Sequence, residues 1–342
     1  MGKTILDLLN NVQKDDTSNP NSRVLIIDGL NLYLRTFAVN GMLNDRGVPI
    51  GGMMGFLKSL AYAIRETNPT RVMVIYDGAG GSQRRRKIHP NYKGNRKPGK
   101  RITRWDAFKN VEEEKEAMKI QFSRLIEYLD VLPVNVISID RIEADDTIAY
   151  ITNKLVKEEV VIMSADQDFL QLVDERVTVW SPIKKKFYTP ELVMKDYGVP
   201  AHNFLMYKIL MGDKSDNLEG VKGLGPKKLP KILPDISSNP LDLDFILDYA
   251  SKGTEPMHKR IVESVNQLML NEKMMDLKNP PISGELKSLI RKLTSQPINL
   301  LSSNNFNTMY TDDQMGNAID IPDIWLKQHF TRLNSYAKTT HG

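Results

Sequence analysis

Val24-Leu25-Ile26-Ile27-Asp28, Val72-Met73-Val74-Ile75-Tyr76-Asp77 and Val160-Val161-Ile162-Met163-Ser164-Ala165-Asp166 decide the fold of this chain. Each is an apolar, β-branched run, and each is closed by an aspartate. A strand with one face in water alternates polar and apolar residues; a strand covered on both faces has no such need. The three runs therefore read as buried parallel strands. Between them lie stretches of helical spacing. Residues 29–40 read as a turn and helix, and residues 51–67 carry Met54, Leu57, Leu60, Ala61 and Ile64 on one face. A longer pattern runs through Phe108, Val111, Met118, Phe122, Leu125, Ile126 and Leu129. Residues 134–139 make another short strand, and a helix starting at Ala144 places Ile148, Ile151 and Leu155 together. Residues 177–180 and 186–188 predict a hairpin around Ser181-Pro182, and from Pro200 onward the chain reads mainly helical. Strands alternating with helices indicate the α/β class: a central, mostly parallel sheet, helices on both faces, and a helical C-terminal region.

In such sheets, sites form in the crevice beyond the carboxyl ends of the strands. Asp28, Asp77 and Asp166 end strands, and three further clusters are acidic: Glu143-Ala-Asp145-Asp146, Asp166-Gln-Asp168 and Asp213-Lys-Ser-Asp216. Any single member has an ordinary explanation. Asp28 can cap a helix, Asp77-Gly78 is a turn dipeptide, and Asp213 to Asp216 can be a solvated turn. Together on one rim, that many like charges require cations. Oxygen ligands without cysteine favour hard divalent ions, Mg²⁺ or Mn²⁺, over zinc. Two such ions about 3.5–4 Å apart can clamp the attacking and leaving oxygens of a phosphoryl displacement, with no covalent nucleophile.

The chain has 342 residues, a formal charge of +5 and no cysteine. Disulfides and thiolate catalysis are thereby excluded, and a reducing, cytoplasmic setting is expected. No secretory signal or membrane-length apolar run is legible. Charge is unevenly spread. Residues 78–105 hold no acid, yet include Arg84, Arg85, Arg86, Lys87, Lys93, Arg96, Lys97, Lys100, Arg101 and Arg104. A basic block beside an acidic rim suits a polyanion that must reach metals, most simply nucleic acid. Tyr92, Trp105 and Phe108 interleave with the charges and are expected to stack on unpaired bases, the whole acting as a gate for a single strand. A second basic feature is Gly220-Val-Lys222-Gly223-Leu-Gly225-Pro-Lys227-Lys228. Its glycines suit a tight hairpin between helices, and its lysines suit a duplex phosphate backbone read without regard to sequence.

Taken in order, Ile27-Asp28-Gly-Leu-Asn31, Tyr76-Asp77-Gly, Tyr92-Lys93-Gly-Asn-Arg96, Glu143-Ala-Asp145-Asp146, Ser164-Ala-Asp166-Gln-Asp168 and Gly212-Asp213-Lys-Ser-Asp216-Asn217 resemble the motifs of the 5′ nuclease (flap endonuclease) family. The pattern is most similar to the tailed-phage ribonuclease H enzymes within it. The likeness covers residues 23–276, including Asn271-Glu-Lys-Met-Met-Asp276. It implies a PIN-like core and a structure-specific 5′ nuclease: 5′–3′ exonuclease, flap endonuclease and ribonuclease H-type primer removal in replication. It implies that Asp28, Asp77, Asp145 and Asp166, with Glu143 directly or through water, surround a first metal. Asp168 and Asp216 serve a second, Asp213 lies in its outer shell, and Asp146 gives support from behind. Lys93 and Arg96 would contact the scissile phosphate, with Arg84, Arg85 and Tyr92 also on nucleic acid. Gly220, Lys222, Gly223, Gly225, Lys227 and Lys228 would form a helix-hairpin-helix grip, which in relatives holds a monovalent cation such as K⁺. Relatives usually continue the hairpin lysine with Thr-Ala; here Lys228-Leu-Pro230 follows, which predicts a shorter or looser grip.

The expected organisation is an extension over 1–22, a nuclease core over 23–200 with a basic arch at about 78–120, a helical DNA-gripping region over 201–281 and a C-terminal extension over 282–342. Residues 5–12 carry a helical apolar face that docks on the domain or on a partner. Expected partners are DNA with 5′ ends or flaps and RNA/DNA hybrids, acted on by a monomer. The resemblance adds a single-stranded DNA-binding protein and a sliding clamp, with residues 321–330 as a weak clamp peptide. Two rivals remain open: a DNA-junction binding module without chemistry, and a haloacid dehalogenase-type phosphatase. The latter needs Thr or Val soon after its Asp-x-Asp, whereas Asp168 is followed by Phe169-Leu170.

Overall fold

Both faces of the sheet are covered, which is why its strands show no alternation. The computed structural model describes residues 19–94, 101–106 and 108–341. The first half alternates strand and helix: β1 (Arg23–Asp28), α1 (Gly29–Val39), α2 (Gly51–Thr67), β2 (Arg71–Asp77), α3 (Gln83–Ile88), α4 (Val111–Asp130), β3 (Asn135–Ile139), α5 (Ala144–Tyr150), β4 (Glu159–Met163), β5 (Val177–Ser181) and β6 (Lys186–Tyr188). The remainder is helical apart from one tiny ribbon: α6 (Pro190–Tyr197), α7 (Phe204–Met211), β7 (Gly212–Asp213), β8 (Leu218–Glu219), α8 (Leu229–Ile232), α9 (Leu243–Lys252), α10 (Pro256–Glu263), α11 (Val265–Met275), α12 (Gly284–Thr294), α13 (Ser303–Asp312) and α14 (Pro322–Thr339).

The sheet order is β3-β2-β1-β4-β5-β6, parallel except for β6. Successive residues feed opposite cores. Val24, Ile26, Met73, Ile75, Val160 and Ile162 pack with α7 and the later helices. Leu25, Ile27, Val72, Val74 and Val161 pack with α1, α2 and α4 on the other face. Each fully buried aliphatic side chain contributes about 1.5–3 kcal/mol, enough to fix the register of a short strand. The chain runs β1, β2, β3 to one side, then returns to place β4 on the other side of β1. That reversal leaves a crevice at the carboxyl ends of β1 and β4.

Two expectations need correction. The helix from Ala144 does not continue regularly to Leu155; residues Ile151–Leu155 form a π turn, so Ile151 and Thr152 are both buried. The C-terminal extension over 282–342 packs into the body of the protein: Ile290 joins one core, and Phe306, Leu326 and Phe330 join the other. For the same reason residues 321–330 do not present a free clamp peptide, since Leu326 and Phe330 are fully buried. The N-terminal segment 5–12 and Arg96 lie outside the described residues. Among the described residues no helix is long and apolar enough to cross a membrane.

The turn after β2 is tightly enclosed. A Cβ on Gly78 would lie 1.8 Å from the backbone oxygen of Ile139. Because backbone cannot step aside cheaply, Gly78→Ala is expected to cost about 1–3 kcal/mol, read by urea denaturation. An unchanged midpoint would show that the turn relaxes freely.

Candidate active site

Asp28 ends β1 and is almost fully buried, at 6 % exposure. Its Oδ1 accepts a hydrogen bond from Asn31 N (3.2 Å), capping α1, and its Oδ2 accepts one from Ser164 Oγ (2.9 Å) beyond β4. Ser164 Oγ in turn accepts from Asp166 N (3.0 Å), and Asp166 Oδ1 accepts from Asp168 N (2.9 Å). Asn31 Oδ1 accepts from Ala165 N (3.4 Å). Parallel pairing of Ile27 with Met163 places these two strand ends side by side. Asp77, exposed at the end of β2, accepts from Ala144 N (2.7 Å) and so fixes the start of α5, whose first turn carries Asp145 and Asp146.

These acids divide into two electrostatic classes. In the first, burial pushes the Asp28 carboxyl up to about 7, aided by Asp166 and Asp77 and opposed by its hydrogen bonds. Burial, then Asp166 and Asp28, hold Asp145 well above the ordinary carboxylate range. Asp168 is pushed up to about 7 by burial and Asp166, with Lys208 opposing. Asp145, Asp166 and Asp168 remain partly exposed, so an ion can enter from solvent. In the second class the protein supplies its own cations. Arg85 binds Asp146 through two contacts (2.9 and 2.7 Å) and also pairs with Glu143. Lys93 Nζ lies 2.6 Å from Glu143 Oε1. Lys208 Nζ bridges Asp168 Oδ1 (2.8 Å) and Asp213 Oδ2 (2.6 Å). Burial works against the charge on Glu143 and Asp213, yet the neighbouring cations outweigh it and hold both below the ordinary range.

Among the described residues, no three of the acids converge closely enough to hold a metal ion as they stand. The donor set of Asp28, Asp145 and Asp166, all oxygen and none in a salt bridge among the described residues, fits a hard divalent ion.

The base of the basic block is fastened to this rim. Lys93 N donates to Asp216 O (3.2 Å), His89 Nε2 lies 3.1 Å from Asn217 O, and Asn217 Nδ2 donates to Asn91 O (3.3 Å). Lys93 has φ 57°, a left-handed conformation costing a non-glycine residue about 1 kcal/mol or more, held because it aims the amine at the rim. Arg84 is half-buried beside Arg85, and its Nη2 has no hydrogen-bond partner among the described residues.

Several sequence expectations for this block are overturned. Arg85 is 4 % exposed and spent on Glu143 and Asp146, so it is not available to nucleic acid. Tyr92 is also buried, its hydroxyl donating to Glu143 Oε1 (3.4 Å), and cannot stack on bases. Phe108 is buried against Phe37 and Trp105, and Trp105 Nε1 donates to Phe37 O (3.3 Å). These rings serve the core because α1 and α4 leave an apolar groove between them. Sequence reasoning missed Lys208 and gave no role to Asn31 and Ser164, although both stand in the motifs that mark the rim. Lys208 did carry a signal, being the one charge in the otherwise apolar helix α7.

The glycine hairpin lies between α7 and α8. Gly223 has φ +82°, which only glycine adopts without strain, whereas Gly225 has open space around it. Gly220 packs against the end of α7, where a Cβ would lie 2.3 Å from Met211 C. Lys222, Lys227 and Lys228 are exposed, with Lys228 Nζ donating back to Gly223 O (3.2 Å). The following helix α8 has only four residues, with Pro230 in its first turn.

With this geometry in place, the comparisons are direct. The model of the 5'-3' exonuclease, N-terminal resolvase-like domain, matches residues 23–198. The chain belongs to the 5′-3′ exonuclease family. It is 29% identical over 284 residues to the 5'-3' exonuclease of Bacillus subtilis, covering 79% of this chain and 88% of that protein. It is 32% identical over 216 residues to the 5'-3' exonuclease of Aquifex aeolicus, covering 62% and 69%. The thermostable DNA polymerase I of Thermus thermophilus is 35% identical over 222 residues, which are 64% of this chain but only 25% of the polymerase. The chain thus spans about a quarter of such polymerases. In fold it is similar to the bacteriophage T5 D15 flap endonuclease, solved with DNA and metal ions (TM-score 0.61, 20% identity, 85% of this chain and 97% of that one). It is also similar to the catalytic core of Rad2 in complex with DNA substrate (TM-score 0.55, 15% identity, 92% and 93%).

Proposed function

We propose that this protein is a structure-specific 5′ nuclease that hydrolyses phosphodiester bonds at 5′ ends and flaps of duplex DNA and of RNA/DNA hybrids, with Mg²⁺ as resident ion and Mn²⁺ able to replace it. The observation that carries this reading is the placement of Asp28 and Asp145, both raised by burial and by neighbouring acids, beside Asp166 and near Lys93, whose backbone and amine are both fastened at the same rim. Asp28, Asp145 and Asp166 would hold one ion, with Asp77 beside them; Asp168 and Asp216 would hold a second, with Asp213 behind. Bound ions would activate the attacking water and neutralise charge on the reacting phosphate. The chain's own residues orient the substrate. Glu143 holds Lys93 in place, and Lys93 together with half-buried Arg84 faces the phosphate. Residues 23–200 form the nuclease core in this reading and 201–281 the duplex grip, with K⁺ at the hairpin assigned only by resemblance. Primer removal in replication, in company with a single-stranded DNA-binding protein and a sliding clamp, is the setting this activity suits.

Cleavage of a 5′-flap substrate with and without Mg²⁺ tests the reading: ion-dependent release of the flap is expected, and binding without cleavage would leave a junction-binding module. Two variants separate its parts. Lys93→Ala is expected to lower kcat about a hundredfold with little change in KM, because its contact strengthens as charge develops on the phosphate. A change confined to KM would place Lys93 in ground-state binding instead. Replacing Lys222, Lys227 and Lys228 by alanine is expected to weaken duplex binding and to flatten its salt dependence by about 0.9 per lost phosphate contact. An unchanged salt slope would remove the hairpin from the DNA interface.

A further inference from the structure

The amino end of the sheet, remote from the acidic rim, holds a cleft of about 460 Å³ lined by Asn21, Arg71, Val156, Arg291, Thr294 and Thr340, among others. Arg71 opens β2 and Asp77 closes it, so cleft and rim are about 20 Å apart at about 3.3 Å per residue. Arg71 is 4 % exposed. Its Nη1 and Nη2 donate to Thr294 O (2.7 Å) and Gln296 O (3.2 Å) at the carboxyl end of α12. That much is a helix cap. It leaves a buried guanidinium without a carboxylate partner among the described residues, and its Nε–H is unbonded. The same cleft contains two further unpartnered atoms, Thr294 Oγ1 and Asn21 Oδ1. The exposed Arg291 adds a second positive charge with no ion pair among the described residues.

A buried donor left unbonded costs about 1–3 kcal/mol, more when charged. Two such donors, Arg71 Nε and Thr294 Oγ1, and one unpartnered acceptor, Asn21 Oδ1, belong to residues lining one cleft, which a missing partner explains better than coincidence. The partner must be anionic to offset two arginines, must offer acceptor oxygens to the guanidinium and to the Thr294 hydroxyl, and must carry one O–H that donates to Asn21 Oδ1. A tetrahedral oxyanion that keeps one proton, as hydrogen phosphate does, meets these demands, since guanidinium and phosphate match in geometry and charge. We propose that this cleft, built by Arg71, Arg291, Thr294 and Asn21 at the amino end of the sheet, is a binding site for a phosphate group, free or carried as a monoester. The volume exceeds what the anion needs, and Val156 gives an apolar wall for an attached body. Elements from both ends of the chain meet here: Asn21 before β1, Arg71 in β2, Arg291 and Thr294 in α12, and Thr340 after α14. Binding would therefore staple the C-terminal helices to the nuclease core.

The test uses the full chain, free of divalent ions, titrated calorimetrically with inorganic phosphate and with a nucleoside 5′-monophosphate at constant ionic strength in chloride. Saturable binding and a rise in Tm are expected for both probes. Arg291→Ala, at an exposed position, and Thr294→Val should each weaken binding about tenfold or more, as loss of one hydrogen bond to a charged group does. Flap cleavage by Arg291→Ala should be unchanged. Tighter binding of the monophosphate than of phosphate would show that the cleft also takes the attached body; equal affinity would assign it the free anion. No saturable binding would mean that water satisfies the cleft and would overturn the proposal. So would binding undiminished in the Arg291→Ala, Thr294→Val double variant, which would locate the anion on another basic surface.

Discussion

Replacing Asp28 or Asp145 by asparagine is expected to abolish cleavage while stabilising the metal-free protein. Both effects come from one cause, the crowding of negative charge that a divalent ion would neutralise. Asparagine keeps the shape and, at Asp28, can still cap α1 through its side-chain oxygen. It cannot supply a carboxylate, so activity should fall by about a thousandfold or more, roughly 4 kcal/mol of barrier. Stability should move the other way. The Asp28 carboxyl stands at about 7 when folded against an ordinary value of 3.8, so the folded state binds its proton more readily than the unfolded chain. The resulting penalty is absent below pH 3.8, grows as pH rises toward about 7, and is complete above that. Metal-free Asp28→Asn should therefore melt at least about 2 °C above wild type at pH 8 and level with it near pH 4. Adding Mg²⁺ should narrow the gap at pH 8 by stabilising wild type alone. Activity within about tenfold of wild type would remove the residue from the metal site. A lower Tm at pH 8 would show that its role is only structural.

Arg85→Met is expected to be the most destabilising single change near the site, at about 3–5 kcal/mol, because it leaves buried carboxylates without their counter-charge. Glu143 and Asp146 are 3 % and 4 % exposed, and the variant leaves Glu143 with Lys93 only. Pairing holds the Glu143 carboxyl below its ordinary 4.5, so the stability it provides is present above that value and is lost as pH falls through the lower folded one. The gap between wild type and Arg85→Met should accordingly be widest near neutrality and narrow in acid. Adding Glu143→Gln and Asp146→Asn should recover most of the loss, since both buried carboxylates are then removed together with their guanidinium and only Lys93, which is partly exposed, loses an ion partner. Urea unfolding at pH 7 and at pH 4 reads both effects. A cost below about 1 kcal/mol together with weakened DNA binding would return Arg85 to the nucleic-acid surface.

The two classes of carboxylate clarify how one rim serves two needs. Glu143, Asp146 and Asp213 are neutralised by Arg85, Lys93 and Lys208 and so give the site a frame that persists without ions. Burial and neighbouring acids leave Asp28 and Asp145 raised above the ordinary carboxylate range, a penalty that a divalent ion bound there would relieve. Asp168 belongs to both groups: Asp166 and burial raise it while Lys208 restrains it. Hence Lys208 stands where a second cation would also act.

The α/β class, the order of its strands and helices, and the positions of the acids beyond strand ends were legible in the sequence, because they rest on local periodicity and on where a covered strand must stop. The sharp turn at Gly223 was legible for a related reason, as its left-handed backbone is one that glycine adopts readily. What sequence could not decide was which cation faces which anion. Ten basic residues between 78 and 105 look equivalent in a string, yet the fold buries Arg85, leaves Arg84 half-buried with an Nη2 that has no hydrogen-bond partner among the described residues, and bends Lys93 back onto Glu143. Tyr92 and Phe108 likewise read as base-stacking rings until packing against distant elements claimed them. Charge pairing and burial depend on contacts between residues far apart in the chain, and desolvation turns those contacts into kilocalories. Periodicity therefore determined the scaffold and the edge on which the acids gather; only tertiary packing decided which charges are spent on the scaffold and which are left without an opposite charge beside them.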